Sequence, residues 1–199
     1  LGTTIFTGGT SANGNTYSGG TTISAGTLQI GNGGTTGALG TGAVINNSAL
    51  VFNRTDATLV SSGAISGSGT LLQAGTGTIN LTGANTYTGT TTINAGTLKI
   101  GNNTPSTTMG TGLIVNNGIL WFQHASGQAF APNTISGTGS LYIAGAAAGS
   151  GTISLRADNT FSGGITLNSG PRLMVLGDSV GTPGALTAGP LGTGMLTMN

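Results

Sequence analysis

An internal repeat with a period of about 70 residues constrains the fold of this chain more than any other feature. Residues 13–31 read NGNTYSGGTTISAGTLQIG, and residues 81–101 read LTGANTYTGTTTINAGTLKIG. A third, more divergent copy is ADNTFSGGITLNSGPRLMVLG at residues 157–177. Tyr17 in the first copy corresponds to Tyr87 in the second and to Phe161 in the third. Such self-similarity predicts a fold assembled from one stacked unit.

The segments between these motifs repeat as well. GALGTGAVINNSALVF at residues 37–52 matches MGTGLIVNNGILWF at residues 109–122. AISGSGTLLQAG, from residue 64, matches TISGTGSLYIAG, from residue 134. We expect one repetitive domain with copies at about 1–63, 64–133 and 134–199, interrupted by insertions near Ala146 and from Asp178 to Gly184.

Each copy divides into pieces of roughly 20–25 residues, in which glycine or Asn-Gly precedes a short alternating run. In GTLKIG, Leu98 and Ile100 point to one face of a strand and Lys99 to the other. Leu28 and Ile30 alternate with Gln29 in the same way. No segment carries the 3.6-residue apolar stripe of a helix, so we expect only strands.

The composition fits short stacked strands. Glycine accounts for 40 of 199 residues, and only 4% of the residues are charged. Glycine and asparagine tolerate the positive φ angles of tight corners. A charge at one site of every coil would face its own copy about 4.8 Å away. The ordered alternation of Leu, Ile and Val argues against a disordered chain.

The sequence therefore predicts an all-β fold, a parallel β-helix (β-solenoid) of about eight or nine coils, with three coils per repeat of about 70 residues. Equivalent segments, such as those bearing Tyr17, Tyr87 and Phe161, should then line up along a common axis. The alternative is a β-sandwich or barrel of hairpins, which the spacing of the turns permits. Such a fold has no reason to repeat its sequence at a fixed, long interval.

The repeated string resembles a known family. The pattern NTYTGxTTINAGTLxIG, followed by GxLGTGxVxxNN, is similar to the autotransporter-associated β-strand repeat of bacterial type V passenger domains. The resemblance implies that the predicted fold is a right-handed parallel β-helix. It also implies that the chain is a non-catalytic stalk that supports export, display or adhesion. It also implies an extracellular or cell-surface location, on the Gram-negative outer membrane, and contacts with flanking coils or with a host or neighbouring cell.

Positions that recur in the copies are the candidate structural residues. They combine polar residues, aromatic rings, corner glycines and inward aliphatic side chains. They are Asn15, Tyr17, Gly26, Leu28, Ile30, Asn85, Tyr87, Gly96, Leu98, Ile100, Asn159, Phe161 and Gly170.

The sequence offers little for catalysis or for binding a metal or cofactor, and we expect none of the three. His124 is the only histidine. Asp56 and Asp158 each lie two residues from an arginine, which favours local ion pairs. Polysaccharide-cleaving β-helix enzymes need paired carboxylates, and about 100 residues separate these two aspartates. We therefore expect no enzyme, and a polysaccharide-acting β-helix enzyme is a disfavoured alternative function.

The partners that the sequence predicts are limited by charge. A net charge of +1 disfavours nucleic acid, and no apolar run is long enough to span a membrane. Because the chain starts with Leu1, we expect a fragment of a longer chain or the protomer of a filament. Strand-like termini make head-to-tail stacking into an extracellular filament or sheath the alternative function. Trp121, between the inward Leu120 and Phe122, is expected to face outward.

Overall fold

The structure is a computed structural model. It describes residues 1–8, 15, 17–56, 59–103, 107–124, 129–130, 134–145, 152–155, 159–168, 172–175, 180–182, 185–188 and 191–199. These residues form β-strands and no helix. Accordingly, the described part of the chain contains no helix long and apolar enough to cross a membrane.

The first large sheet, sheet I, contains seven parallel strands. In spatial order they are β1 (Thr3–Phe6), β3 (Thr27–Gly34), β5 (Ala49–Arg54), β8 (Thr70–Gln73), β10 (Thr91–Ile93), β12 (Ile114–Asn116) and β15 (Ile135–Ser136).

The second large sheet, sheet II, also contains seven parallel strands. In spatial order they are β6 (Leu59–Ser61), β9 (Thr78–Leu81), β11 (Thr97–Ile100), β13 (Ile119–His124), β16 (Ser140–Gly145), β18 (Ile165–Leu167) and β22 (Leu196–Met198).

A third side of the molecule connects sheet II to sheet I. It consists of β2 (Thr21–Ile23), β4 (Val44–Asn46) and β7 (Ile65–Ser66), and further on of β14 (Ala129–Phe130), β17 (Thr152–Leu155) and β19 (Arg172–Val175). A parallel bridge from Ala84 to Thr108 lies between the two groups.

Each strand pairs with the strand one turn later along the chain, so the fold is the parallel β-solenoid that the sequence predicts. In the parallel pairs, partner residues are 19 to 24 positions apart, except between β18 and β22, where they are 31 positions apart. Seven strands in each large sheet make about six turns from the first strand to the last, slightly fewer than the eight or nine coils that we expected.

The interior is a continuous column of aliphatic and aromatic side chains. Register alone stacks them: Leu28, Leu50 and Leu71 are successive partners in sheet I, and all three are buried. Leu98, Leu120 and Leu141 do the same in sheet II. A single turn contributes only a few such side chains, each stabilising by about 1.5–3 kcal/mol. The turns above and below complete the core.

The repeat copies do not line up on one side of the solenoid, and this expectation was wrong. The equivalent strands β2, β10 and β18 lie in the third side, sheet I and sheet II, respectively. The equivalent strands β3, β11 and β19 lie in sheet I, sheet II and the third side. Each copy is therefore rotated by one side relative to the copy before it.

The length of a turn explains the rotation. Three successive pairings in sheet I lead from Leu28 through Leu50 and Leu71 to Thr91. The residue equivalent to Leu28 in the next copy is Leu98, seven positions beyond Thr91. Those seven positions carry the chain across a corner to the next side. One copy therefore makes three turns and about a third of another, and not the three coils predicted from the sequence.

The second predicted insertion coincides with an added hairpin. Strands β20 (Val180–Thr182) and β21 (Ala185–Ala188) form the one antiparallel pair among the described strands. They fall within the long step between β18 and β22. The expected insertion near Ala146 lies outside the described residues.

Candidate functional site

The recurring aromatic residues hold adjacent turns together in the same way in each copy. Tyr17 and Tyr87 donate or accept a 2.8 Å hydrogen bond with the hydroxyl of Thr21 and Thr91, respectively. Each ring packs on a glycine of the next turn, so a Cβ on Gly110 would lie 2.5 Å from Cε2 of Tyr87. The corresponding glycines are Gly40 beside Tyr17 and Gly192 beside Phe161.

The recurring asparagines bind backbone groups across turns. Asn85 accepts a bond from the Ile65 N–H one turn below (3.0 Å) and donates to the Thr108 carbonyl one turn above (2.7 Å). Asn15 donates to the Ala38 carbonyl, and Asn159 accepts from the Ile135 N–H. A buried backbone group without a partner costs free energy, so these side chains stabilise irregular corners.

The other candidate structural residues occupy corners and core. Gly26, with a φ angle of 75°, lies at the corner between the third side and sheet I. Gly96, with a φ angle of 63°, lies at the corner between sheet I and sheet II. Leu28, Ile30, Leu98 and Ile100 are buried. Gly170 lies outside the described residues. Three members of the set also line surface pockets: Asn15 and Tyr17 line one of about 380 Å³, and Leu28 lines one of about 500 Å³.

Of the three candidate catalytic residues, the structure describes the side chain of Asp56. Arg54 is fully buried and pairs with Asp56 through two bonds, of 2.8 and 2.6 Å. This is the local ion pair expected from the sequence. His124 ends β13 on sheet II, but its side chain, like Asp158 and Arg156, lies outside the described residues. The described residues hold no cluster of three metal-ligating side chains.

A shallow groove on the outer face of sheet II is the strongest candidate for a binding site. Its volume is about 330 Å³, and it crosses β11, β13, β16 and β18. Three aromatic or aliphatic and three hydroxyl side chains line it. They are Trp121, Tyr142, Ile119, Thr97, Ser140 and Thr166. We call this the outer groove.

Strand register builds the outer groove. Lys99, Trp121, Tyr142 and Thr166 are successive partners in sheet II, so their side chains stack along the outside of the sheet. The Trp121 and Tyr142 rings meet edge to face, with centroids 5.2 Å apart. The outward position of Trp121 is the one expected from the sequence, and its neighbours in the adjacent strands cover part of it.

Lys99 closes one end of this stack. Its Nζ lies 4.4 Å from the centroid of the Trp121 ring, a cation–π contact. Partial burial lowers the pKa of Lys99 below its usual value, because desolvation penalises the charged ammonium. At the other end, the Tyr142 hydroxyl accepts a bond from the Asn168 amide.

Sequence reasoning found Trp121 but missed the rest of the outer groove. Its lining residues lie on four strands that follow one another at intervals of one turn. The signal available in the sequence was that Trp121 and Tyr142 replace Val51 and Leu72, which occupy the equivalent positions 70 residues earlier. Only strand register shows that these two rings touch.

The comparisons with known proteins bear on the scaffold. Residues 1–30, 71–100 and 146–171 match the family model of the passenger-associated-transport-repeat. The starts of the first two matches are separated by the same interval as the repeat in the sequence. Searches of curated proteins and of solved structures found no match. Three segments of this parallel β-solenoid are therefore similar to the passenger-associated-transport-repeat.

Proposed function

We propose that this chain is a non-catalytic stalk within a secreted or surface-displayed passenger of the autotransporter type. The observation that carries the proposal is the threefold match to a passenger-associated repeat on a continuous parallel stack. A stack in which each turn pairs with its neighbours suits a spacer, because it grows along one direction. The stalk would support export, display or adhesion outside a Gram-negative outer membrane.

The chemistry of the described residues agrees with a supporting role. The one described ion pair, Arg54 with Asp56, is buried in the scaffold. Hydrogen bonds of recurring side chains connect adjacent turns and are not directed to a cleft. A catalytic site needs titratable groups that meet around a substrate.

Surface display tests the proposal. The chain would be fused between a secretion signal with an epitope tag and an autotransporter translocator. We expect the tag to be labelled by antibody on intact cells, and the chain to resist protease there. A Leu98→Asp variant, which places a charge in the core, should reduce display or protease resistance while the total amount of protein stays measurable.

The same material distinguishes the stalk from a filament subunit. The purified chain should elute as a monomer in size-exclusion chromatography. Long unbranched fibres of constant width in electron micrographs would contradict a monomeric stalk and support head-to-tail assembly. Display that does not depend on the folded chain, with equal labelling for the Leu98→Asp variant, would contradict a role of the stack in export.

A further inference from the structure

The outer groove has the size of a small-ligand site. Its volume of about 330 Å³ lies at the lower end of the range for such sites. A specific protein–protein interface usually buries more than about 1,000 Å². The four strands that it crosses are about 4.8 Å apart, so it extends about 14 Å along the solenoid. A short linear ligand fits these dimensions.

The lining combines apolar surfaces with hydroxyl groups. Trp121, Tyr142 and Ile119 supply the apolar part, and Ile119 is 41% exposed. Thr97, Ser140 and Thr166 each add a hydroxyl that donates and accepts hydrogen bonds. A sugar ring has the complementary character, since its C–H faces are apolar and its edges carry hydroxyls.

The charge of the outer groove favours an uncharged ligand. None of the lining residues is an aspartate, glutamate, lysine, arginine or histidine. The nearby cation, Lys99, already lies over the Trp121 ring. A phosphate, sulfate or carboxylate would therefore lose its hydration without gaining a free counter-charge in the lining.

Two polar atoms on the outer face of β13 have no partner within the described structure. They are Nε1 of Trp121 and Oε1 of Gln123, and both are buried. Unpaired buried polar atoms are uncommon in folded proteins. Trp121 lines the outer groove, so this groove is bordered by a donor that lacks an acceptor.

From the shape, the lining chemistry and the absence of charge, we propose that the outer groove binds a neutral oligosaccharide. This assignment does not depend on the proposed stalk function. The ligand lies along the solenoid axis, against Trp121 and Tyr142, with its hydroxyls toward Thr97, Ser140 and Thr166.

Trp121 itself provides the assay, because it is the one tryptophan of the chain. The purified chain would be titrated with cello-, laminari- and malto-oligosaccharides, with tryptophan emission and calorimetry as readouts. We expect a saturable change in emission and a heat of binding with at least one series. Tyr142→Leu should weaken that binding at least tenfold.

The equivalent positions 70 residues earlier supply matched variants. Leu72 and Val51 occupy the positions equivalent to Tyr142 and Trp121, so Tyr142→Leu and Trp121→Val install side chains that the fold already accommodates. Calorimetry reports on Trp121→Val, which lacks the fluorophore. Gln29→Ala, the position on sheet I equivalent to Lys99, should bind like the wild type. Circular dichroism checks that each variant is folded.

Several results would overturn the assignment. One is the absence of emission change and heat with all three neutral series at millimolar concentration. Another is unchanged affinity in the folded double variant Trp121→Val/Tyr142→Leu. A third is binding of heparin or another anionic glycan that is lost in Lys99→Gln, while neutral glycans do not bind. Failure of surface display would leave these binding results unaffected.

Discussion

Arg54 is a charged side chain, whereas the other buried residues that the structure describes carry aliphatic, aromatic, amide or hydroxyl groups. It is fully buried, and its guanidinium donates to Asp56 and to the carbonyls of Thr35 and Gly37. These carbonyls belong to the previous turn, so the side chain fixes the loop after β3. The desolvation of such a cation is compensated only while every one of these partners is present.

We expect Asp56→Asn to destabilise the chain by about 3 kcal/mol, because it leaves the Arg54 charge buried without its counter-charge. Urea titration followed by circular dichroism measures the loss. Replacing both residues by leucine should cost less than Asp56→Asn alone. Equal stability of Asp56→Asn and the wild type would show that the ion pair is energetically unimportant.

Because of the buried Tyr87, we expect the free energy of unfolding to fall at alkaline pH. Burial raises its pKa above the usual value, against smaller opposite effects of the Thr91 hydroxyl and the backbone near Gly110. Above about pH 10 the unfolded tyrosine ionises while the folded one stays protonated. The folded state then binds more protons, and stability falls as the pH rises.

The Tyr87→Phe variant, which installs the residue found at Phe161 in the third copy, should lose most of this alkaline dependence. Urea unfolding at a series of pH values measures it. Lys99 has a lowered pKa and acts in the opposite direction, so both proteins should be compared in a Lys99→Gln background. The same alkaline loss with and without the Tyr87 hydroxyl would assign the effect to another group.

The strands are short, and the corners between them determine whether adjacent turns can approach. Gly67 follows β7 with a φ of 98°, and a Cβ there would lie 2.2 Å from the Asn46 carbonyl oxygen of the previous turn. Gly33 also has a positive φ, of 78°, but a Cβ added there would meet nothing within 4 Å. Comparing substitutions at the two glycines therefore distinguishes the cost of backbone strain from the cost of a steric clash between turns.

Gly33→Ala should destabilise by about 1 kcal/mol, the cost of a left-handed conformation for a residue with a Cβ. Gly67→Ala should cost about 3 kcal/mol or more, because the methyl group also pushes two turns apart. Thermal and urea unfolding of the two variants give the comparison. Equal effects would mean that the stack relaxes around the added methyl group without cost.

Contacts between adjacent turns are regular throughout the stack, but equivalent residues of successive copies lie on different sides of it. Every turn contacts the turns next to it, and the ring-on-glycine contact of Tyr17, Tyr87 and Phe161 recurs on different sides. Because these contacts involve adjacent turns only, a copy can rotate by one side without losing them. Equivalent outward residues of successive copies, such as Gln29 and Lys99, consequently face different directions.

Engineered disulfides test the rotation, and the chain has no cysteine that would interfere. Leu72 and Thr92 are register partners, so Leu72→Cys with Thr92→Cys should form a disulfide upon oxidation. If each copy made three whole coils, Thr92 would lie on the same side as its equivalent Thr22. Its partner would then be Ser66, because Thr22 pairs with Ile45 and Ile45 pairs with Ser66. A disulfide between cysteines at 66 and 92, and none between 72 and 92, would contradict the rotation.

Most of the local structure can be derived from the order of the residues. The alternation in GTLQIG and GTLKIG predicts the buried partners Leu28 and Leu98, and the glycines mark corners with positive φ. The ion pair between Arg54 and Asp56 follows from their spacing. These features depend on a few neighbouring residues, so a short stretch of sequence contains the information.

Turn length, phase and the outer groove depend on contacts between distant residues. The sequence period is the distance between segments of similar sequence. Three turns are shorter than this period, as the successive partners Leu28, Leu50, Leu71 and Thr91 show. The groove arises from residues on four strands that the same pairing brings together. Backbone hydrogen bonds and side-chain packing between turns determine this register. The repeat in the sequence does not show which residues of different turns make these contacts.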